Sequence, residues 1–188
     1  MRPLNAHPMS KPLAAQPVNH LHATEARWFA VYVNYKREKQ TARDLAARGI
    51  EVYVPLKSYT RVYASRKRTV ELPLLSRYVF VRITRAQYVA VLENPHVLGF
   101  VKEQRNLRAI REEEIELLRR VAGDTRVVEV RRGQLTAGEE VELITGHLAG
   151  LRGQFVRERG KHHFIIRLES LGVHLEIGVD PADIRRPA

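Results

Sequence analysis

GEEVELITGHLAGLRGQFV, from Gly138 to Val156, decides how the chain ends. Val141 and Leu143 lie two apart, so they share one face of a strand. Gly146, Gly150 and Gly153 follow, residues that accept positive φ or let backbones approach closely, and Phe155 and Val156 then restart an apolar strand. Two further β-rich runs come after it, HFIIRL (163–168) and VHLEI (173–177), with Ser170, Leu171 and Gly172 turning between them. The spacing predicts a small β-barrel over 135–188.

Outward from that module, the chain has 188 residues and 44% hydrophobic content, enough for two small domains with buried cores. The formal charge is +11, and it is unevenly placed. Residues 27–82 hold 13 Lys and Arg against 4 Asp and Glu, while the remainder is close to balanced. Clustered basic charge points to a phosphate-bearing partner for the first domain. There is no cysteine, so disulfide and thiolate chemistry are excluded and a reducing compartment fits. No apolar run is long enough to span a membrane. Residues 1–26 carry four prolines and no continuous apolar segment, and are expected to be a disordered tail rather than a signal peptide.

Order is expected to begin at Arg27, where WFAVYV (28–33) reads as a strand. A helix follows over 36–48, with Thr41, Ala42, Leu45 and Ala46 on one side and Lys36, Lys39, Gln40 and Arg43 on the other; Gly49 ends it. IEVYVPL (50–56) is a strand, and 58–72 a hairpin with a cationic tip at Ser65, Arg66, Lys67 and Arg68. RYVFVRI (77–83) alternates Val79, Val81 and Ile83 with Tyr78, Phe80 and Arg82. A short helix (85–93), a strand (96–101) and an amphipathic helix carrying Ile115, Leu118 and Val121 complete the first domain, stopped by Gly123. Residues 124–134 read as a linker in which the valines at 127–130 permit a short strand.

The Gly138–Val156 run resembles a KOW motif, and the order of elements ahead of it is similar to that of NusG-family transcription elongation factors. The residues carrying the likeness are Trp28-Phe29-Ala30-Val31, Val54-Pro55, Tyr78-Val79-Phe80-Val81 and Asn94-Pro95-His96-Val97-Leu98-Gly99-Phe100-Val101. The resemblance implies an α+β fold: an NGN domain over 27–123, an antiparallel sheet flanked by helices, joined by the 124–134 linker to a KOW domain of SH3-like barrel type over 135–188. Two departures stand out. Ser76-Arg77 occupies the place where the family usually has a Pro-containing pair, and the strands IRLESLGVHLEI look more like specialised UpxY-type paralogs, antiterminators of particular long operons.

The same resemblance implies a bacterial cytoplasmic monomer, held near the nucleoid through RNA polymerase, that suppresses pausing or termination. Tyr32, Pro73, Leu74, Leu75, Tyr78 and Phe80 would dock on the polymerase clamp helices, and Gln87 and Tyr88 would meet the gate loop. Lys36, Lys39, Arg43, Arg61, Arg66, Lys67 and Arg68 would contact phosphates of upstream or non-template DNA, with Asn34, Tyr35 and Gln40 placed to read exposed bases. Leu148 and Leu151 would present a KOW surface to ribosomal protein S-ten or Rho. The competing reading of both leucines, and of each aromatic, is core.

The alternative function is an RNA-binding KOW module on the ribosome, which would have no need of the domain over 28–121. Catalysis is not expected. His147, His162, His163 and His174 lack Cys or acidic partners at metal-ligand spacing, and the glycine run is followed by neither Lys-Ser/Thr nor a helix, so no metal, nucleotide loop or cofactor is predicted.

Overall fold

In the computed structural model, which describes residues 18–63, 66–103, 105–132, 138–158 and 160–187, the chain forms twelve strands and three α-helices among the described residues. The first unit contains β1 (Arg27–Val33), α1 (Glu38–Ala47), β2 (Glu51–Tyr53), β3 (Leu56–Tyr63), β4 (Arg66–Pro73), β5 (Tyr78–Ile83), α2 (Tyr88–Leu92), β6 (Val97–Phe100) and α3 (Glu112–Gly123). The second contains β7 (Val128–Arg132), β8 (Glu139–Leu143), β9 (Arg152–Glu158), β10 (Lys161–Leu168), β11 (Val173–Gly178) and β12 (Ile184–Arg185).

In the first sheet the strands run β2-β5-β1-β6, every pair antiparallel. The two-residue period then assigns the faces. Phe29, Val31, Val33, Val79, Val81 and Ile83 are fully buried on one side, against Leu45 of α1 and Val91 of α2. Each such side chain contributes about 1.5–3 kcal/mol on burial. Trp28, Ala30 and Tyr32 pair with Arg82, Phe80 and Tyr78 on the other side. That second face is covered by α3 and by the second unit, whose residues share its apolar cluster.

The hairpin β3-β4 stands as a separate two-stranded sheet, anchored where the Leu74 amide donates to the Pro55 carbonyl at 2.7 Å. At its base Lys57 is 3% exposed and its ammonium donates to the Val121 carbonyl at 3.3 Å and to the Asp124 carbonyl. A cation at the last turn of α3 meets the helix's free carbonyls and its negative dipole end. Burial pushes the Lys57 ammonium below its ordinary value, and the Asp124 carboxylate opposes that.

The second unit is one antiparallel sheet in the order β12-β8-β9-β10-β11-β7. Phe164, Ile166 and Leu168 of β10 face Ile177, Leu175 and Val173 of β11. Gly153 on β9 lets the sheet close tightly, since a Cβ there would stand 2.6 Å from the Ile165 carbonyl and 2.7 Å from the Phe164 ring. The glycine spacing predicts a closed barrel. Among the described residues β7 and β12 remain edges of an open ladder, while Val141, Leu143, Leu148 and Phe164 still gather in one cluster.

Two expectations change. The tail was expected to run to residue 26, but its portion from 18 to 26 packs on the first unit. Asn19 bridges to Leu107, the His20 amide donates to the Leu107 carbonyl at 2.9 Å, and Leu21 is buried in the α1-side cluster. A single well-placed leucine and a few backbone bonds order a segment whose composition argues for disorder; residues 1–17 lie outside the described residues. In 124–134 the valine-rich run does form a strand, β7, which extends to Arg132 and pairs along β11 from Val128↔Ile177 to Arg132↔Val173. Residues 133–137, where the linker and module boundaries were placed, lie outside the described residues. No helix among the described residues is long and apolar enough to cross a membrane.

Candidate binding surfaces

The aromatic face of the first sheet is built from neighbouring strands whose register places Tyr32 opposite Tyr78 and Ala30 opposite Phe80. The rings of Tyr32 and Tyr78 lie 4.7 Å apart and their hydroxyls 2.8 Å apart. Tyr53 packs on Phe80 at 6.1 Å. Phe80 is fully buried, Tyr78 is 4% exposed, and Leu74 and Leu75 are buried with them; Pro73 and Tyr32 are half-buried. The residues expected to dock on a partner are thus brought together, but they are covered. Ile115, Leu118 and Val121 of α3, with Val128 of β7, join the same apolar cluster.

Polar links hold that arrangement. One guanidinium nitrogen of Arg132, on β7, donates to the Tyr32 hydroxyl at 2.9 Å and to the Tyr78 hydroxyl. The guanidinium also lies 5.8 Å from the Tyr78 ring. Burial, and the neighbouring Tyr32 phenol, push the Tyr78 hydroxyl well above the ordinary phenol range. From α3, Arg120 donates to the carbonyls of His147 at 3.0 Å and Ala149 at 2.7 Å, and Glu114 accepts from the Ser170 amide. Arg126 reaches the Thr145 carbonyl at 3.0 Å. Sequence reasoning singles out none of Arg132, Glu114, Arg120 and Lys57 as a site residue. Arg132 does carry a signal: Val128, Val130 and Arg132 alternate, which puts the arginine on the strand's apolar face.

Leu148, expected on a partner surface, is fully buried, and that placement is corrected: its short 3-10 turn directs the side chain inward against the cluster shared with α3. Leu151 is half-buried and lines a depression with Leu117 and Arg120. Gln87 and Tyr88 are half-buried. The Gln87 side-chain oxygen accepts from the Thr84 amide at 3.1 Å, and the Tyr88 ring stacks on Phe100 at 4.6 Å.

The basic surface is open. Tyr35 is 65% exposed, and the Lys36 ammonium sits 5.2 Å from its ring; Lys36 itself has φ 61°. Lys39 pairs with Glu71 of β4 at 3.7 Å, a point where α1 and the hairpin meet. Arg66, Lys67 and Arg68 are exposed along β4, and the side chain of Arg61 lies outside the described residues. Asn34 is half-buried, its backbone amide bonded to the His96 carbonyl. Gln40 and Arg43 are bonded to each other at 2.8 Å, with Asp44 taking the Gln40 amide, so these two are engaged within α1. The turn at Ser76-Arg77 is made without proline. Arg77 adopts φ 69° and its backbone amide donates to the buried Glu38 carboxylate at 2.7 Å.

The histidines pack rather than converge: His162 stacks on Phe155 at 5.4 Å, and buried His174 meets Glu176 at 3.3 Å. Among the described residues no three His, Cys, Asp or Glu side chains gather as metal ligands would.

The family model described as "Transcription termination factor nusG" matches residues 26–119, half of the chain. A solved structure titled "Domain interaction in Thermotoga maritima NusG" is 18% identical, covers 87% of this chain and 98% of its own, and superposes with a TM-score of 0.54. Another, titled "Crystal Structure of MjSpt4:Spt5 complex conformation B", is 23% identical, with 84% and 95% coverage and a TM-score of 0.33. No curated protein matches.

Proposed function

This chain belongs to the NusG family of transcription factors, and we propose that it acts in elongation by docking on RNA polymerase through the Tyr32, Tyr78 and Phe80 face of its first sheet. One observation carries the reading: Tyr32, Tyr78 and Phe80 lie together on one face of β1 and β5, and beside α3 the cover on that face comes from the separate second unit, through a shared apolar cluster and polar links such as Arg132 to Tyr32. Docking requires the second unit to leave and α3 to move aside. The chain is then a two-state device in which polymerase binds the open form and shifts the population towards it.

In the open form Tyr32, Tyr78 and Phe80 supply large anchoring area for the clamp helices, with Pro73, Leu74 and Leu75 at the rim. Gln87 and Tyr88 face the gate loop, and bridging both sides of the cleft favours the closed, transcribing clamp over the paused one. Tyr35, Lys36 and Lys39, with Arg66, Lys67 and Arg68, meet the upstream or non-template DNA, mostly at phosphate. Tyr35 offers an exposed ring for a stacked base. The second unit is read as a KOW domain, and its divergent strands support a dedicated, UpxY-type antitermination role at particular operons.

The test is retention of core RNA polymerase on the immobilised full chain and on the double variant Glu114→Ala/Arg132→Ala, which loosens the cover. The double variant should retain more polymerase than the natural chain, and adding Tyr32→Ala should abolish the gain. Equal retention by all three sinks the docking face proposed here.

A further inference from the structure

Beside the covered face lies a cavity of about 450 Å³ lined by Tyr32, Ser76, Arg77, Leu98, Gly99, Phe100 and Arg132. Two guanidiniums border it, and neither has a carboxylate within ion-pair distance among the described residues, although the chain's other arginines form many such pairs. Among the described residues the Arg77 side chain donates only to the Val33 carbonyl, at 3.3 Å. The carboxylate at this corner, Glu38, is buried and bonded to the Arg77 backbone amide, so it leaves the guanidinium's charge unmatched. Arg132 uses a single terminal nitrogen for both phenols, and its remaining N–H groups have no partner among the described residues. The lining also includes Tyr32 and Leu98, which is 57% exposed.

We propose that this cavity is a binding site for a nucleoside phosphate. Paired arginines with free N–H edges match phosphate oxygens in charge and geometry, the Ser76 hydroxyl adds a donor, and a half-buried tyrosine ring beside an exposed leucine suits a base. The volume falls in the range of small-molecule sites.

The site's construction sets the sign of its effect. Arg77, Ser76 and the aromatic wall come from the first unit, and Arg132 comes from β7 of the second, so the complete site exists only while the two units are in contact. A ligand that binds one of two states stabilises that state. The phosphate therefore closes the molecule rather than opening it, and it does so without displacing the phenols, because they occupy one nitrogen of Arg132 and leave the other edge free. The regulatory consequence, ligand competing with polymerase, rests on the docking reading above; the binding itself does not.

The experiment is calorimetric titration of the full chain with guanosine diphosphate, adenosine diphosphate, inorganic pyrophosphate and a short single-stranded DNA, alongside amide hydrogen exchange and no polymerase. The diphosphates should bind saturably, slow exchange in both Tyr78–Val81 and Val128–Arg132, and lose at least about tenfold in affinity in Arg77→Gln, since hydrogen bonds to charged groups are worth that much. Arg77→Gln keeps the Arg132 link and so should leave ligand-free exchange in Val128–Arg132 unchanged. Diphosphates binding more tightly than pyrophosphate assign the site to free nucleotides; the DNA binding more tightly assigns it to nucleic-acid phosphate. Absence of saturable binding by any of the four, binding indifferent to Arg77→Gln, or faster exchange on ligand addition overturns the proposal. Because polymerase is absent, none of these failures touches the docking test.

Discussion

Glu114 on α3, 5% exposed, accepts the backbone amide of Ser170 at 3.1 Å with one carboxylate oxygen and the Ser170 hydroxyl with the other. The two residues are 56 positions apart, and the pair ties the helix of the first unit to the turn before β11. A buried carboxylate that is hydrogen-bonded through both oxygens in this way fixes orientation as well as adding stability.

Glu114→Ala should therefore cost about 1.5–3 kcal/mol, because it removes charge-assisted bonds and strands the Ser170 amide. Exposed Glu116→Ala, on the same helix, should stay within about 0.5 kcal/mol. Denaturant midpoints compare them, and faster exchange at the Ser170 amide should accompany the first. A Glu114→Ala midpoint as mild as that of Glu116→Ala would mean that the carboxylate does not hold the units together.

Tyr53 should titrate late. Burial against Phe80 pushes its hydroxyl up to about 12, partly opposed by Arg119 and aided by Glu116. The folded value lies above the unfolded one, near 10, so the contribution to stability is complete below pH 10 and is lost as pH rises towards 12. Phenolate absorbance followed through that window should show a late component that Tyr53→Phe removes. Loss of a component near pH 10 instead, in Tyr53→Phe, would place the hydroxyl in contact with solvent.

Two glycines of the second unit should respond differently to alanine. At Gly153 the new Cβ meets the Ile165 carbonyl at 2.6 Å and the Phe164 ring at 2.7 Å, and neither is free to move aside. Overpacking of this kind costs about 1–3 kcal/mol, and the backbone clash puts Gly153→Ala at the upper end. Gly150 has open space but φ +83°, which alone costs an alanine about 1–2 kcal/mol. Thermal unfolding should rank Gly153→Ala as the more damaging; the reverse order would show that the β9–β10 approach is looser than described.

Charge reversal at Arg66, Lys67 and Arg68 should leave stability within about 0.5 kcal/mol, since all three are exposed. It should weaken binding to a DNA fork and flatten the dependence of log affinity on log salt, by about 0.7–0.9 for each phosphate that the hairpin no longer neutralises. Fluorescence anisotropy at several salt concentrations reads the slope. A slope equal to that of the natural chain removes the hairpin from the DNA-facing surface.

Much of the fold was legible because it is written in local periods. The alternation of Val79, Val81 and Ile83 with Tyr78 and Phe80 assigns two faces to β5, and the spacing of Ile115, Leu118 and Val121 assigns one apolar stripe to α3. These patterns come from backbone geometry, which a sequence carries intact. The basic hairpin was legible for a similar reason: exposed charge needs no partner to be recognised.

What covers an apolar face is a different kind of fact. Tyr78 and Phe80 have the same composition and period whether they meet a partner protein, a helix of their own domain or a second unit, and only the placement of α3 and β7 over them decides that here. Leu148 turns inward, and Arg132 crosses 100 positions to reach Tyr32, through packing that no local window contains. The sequence by itself determined most of the elements, the faces of β5 and α3 and the position of the charge, because those follow from neighbours along the chain. The tertiary structure alone decided that the aromatic face is closed and that two arginines from different units border one cavity, because those depend on which distant surfaces exclude water together.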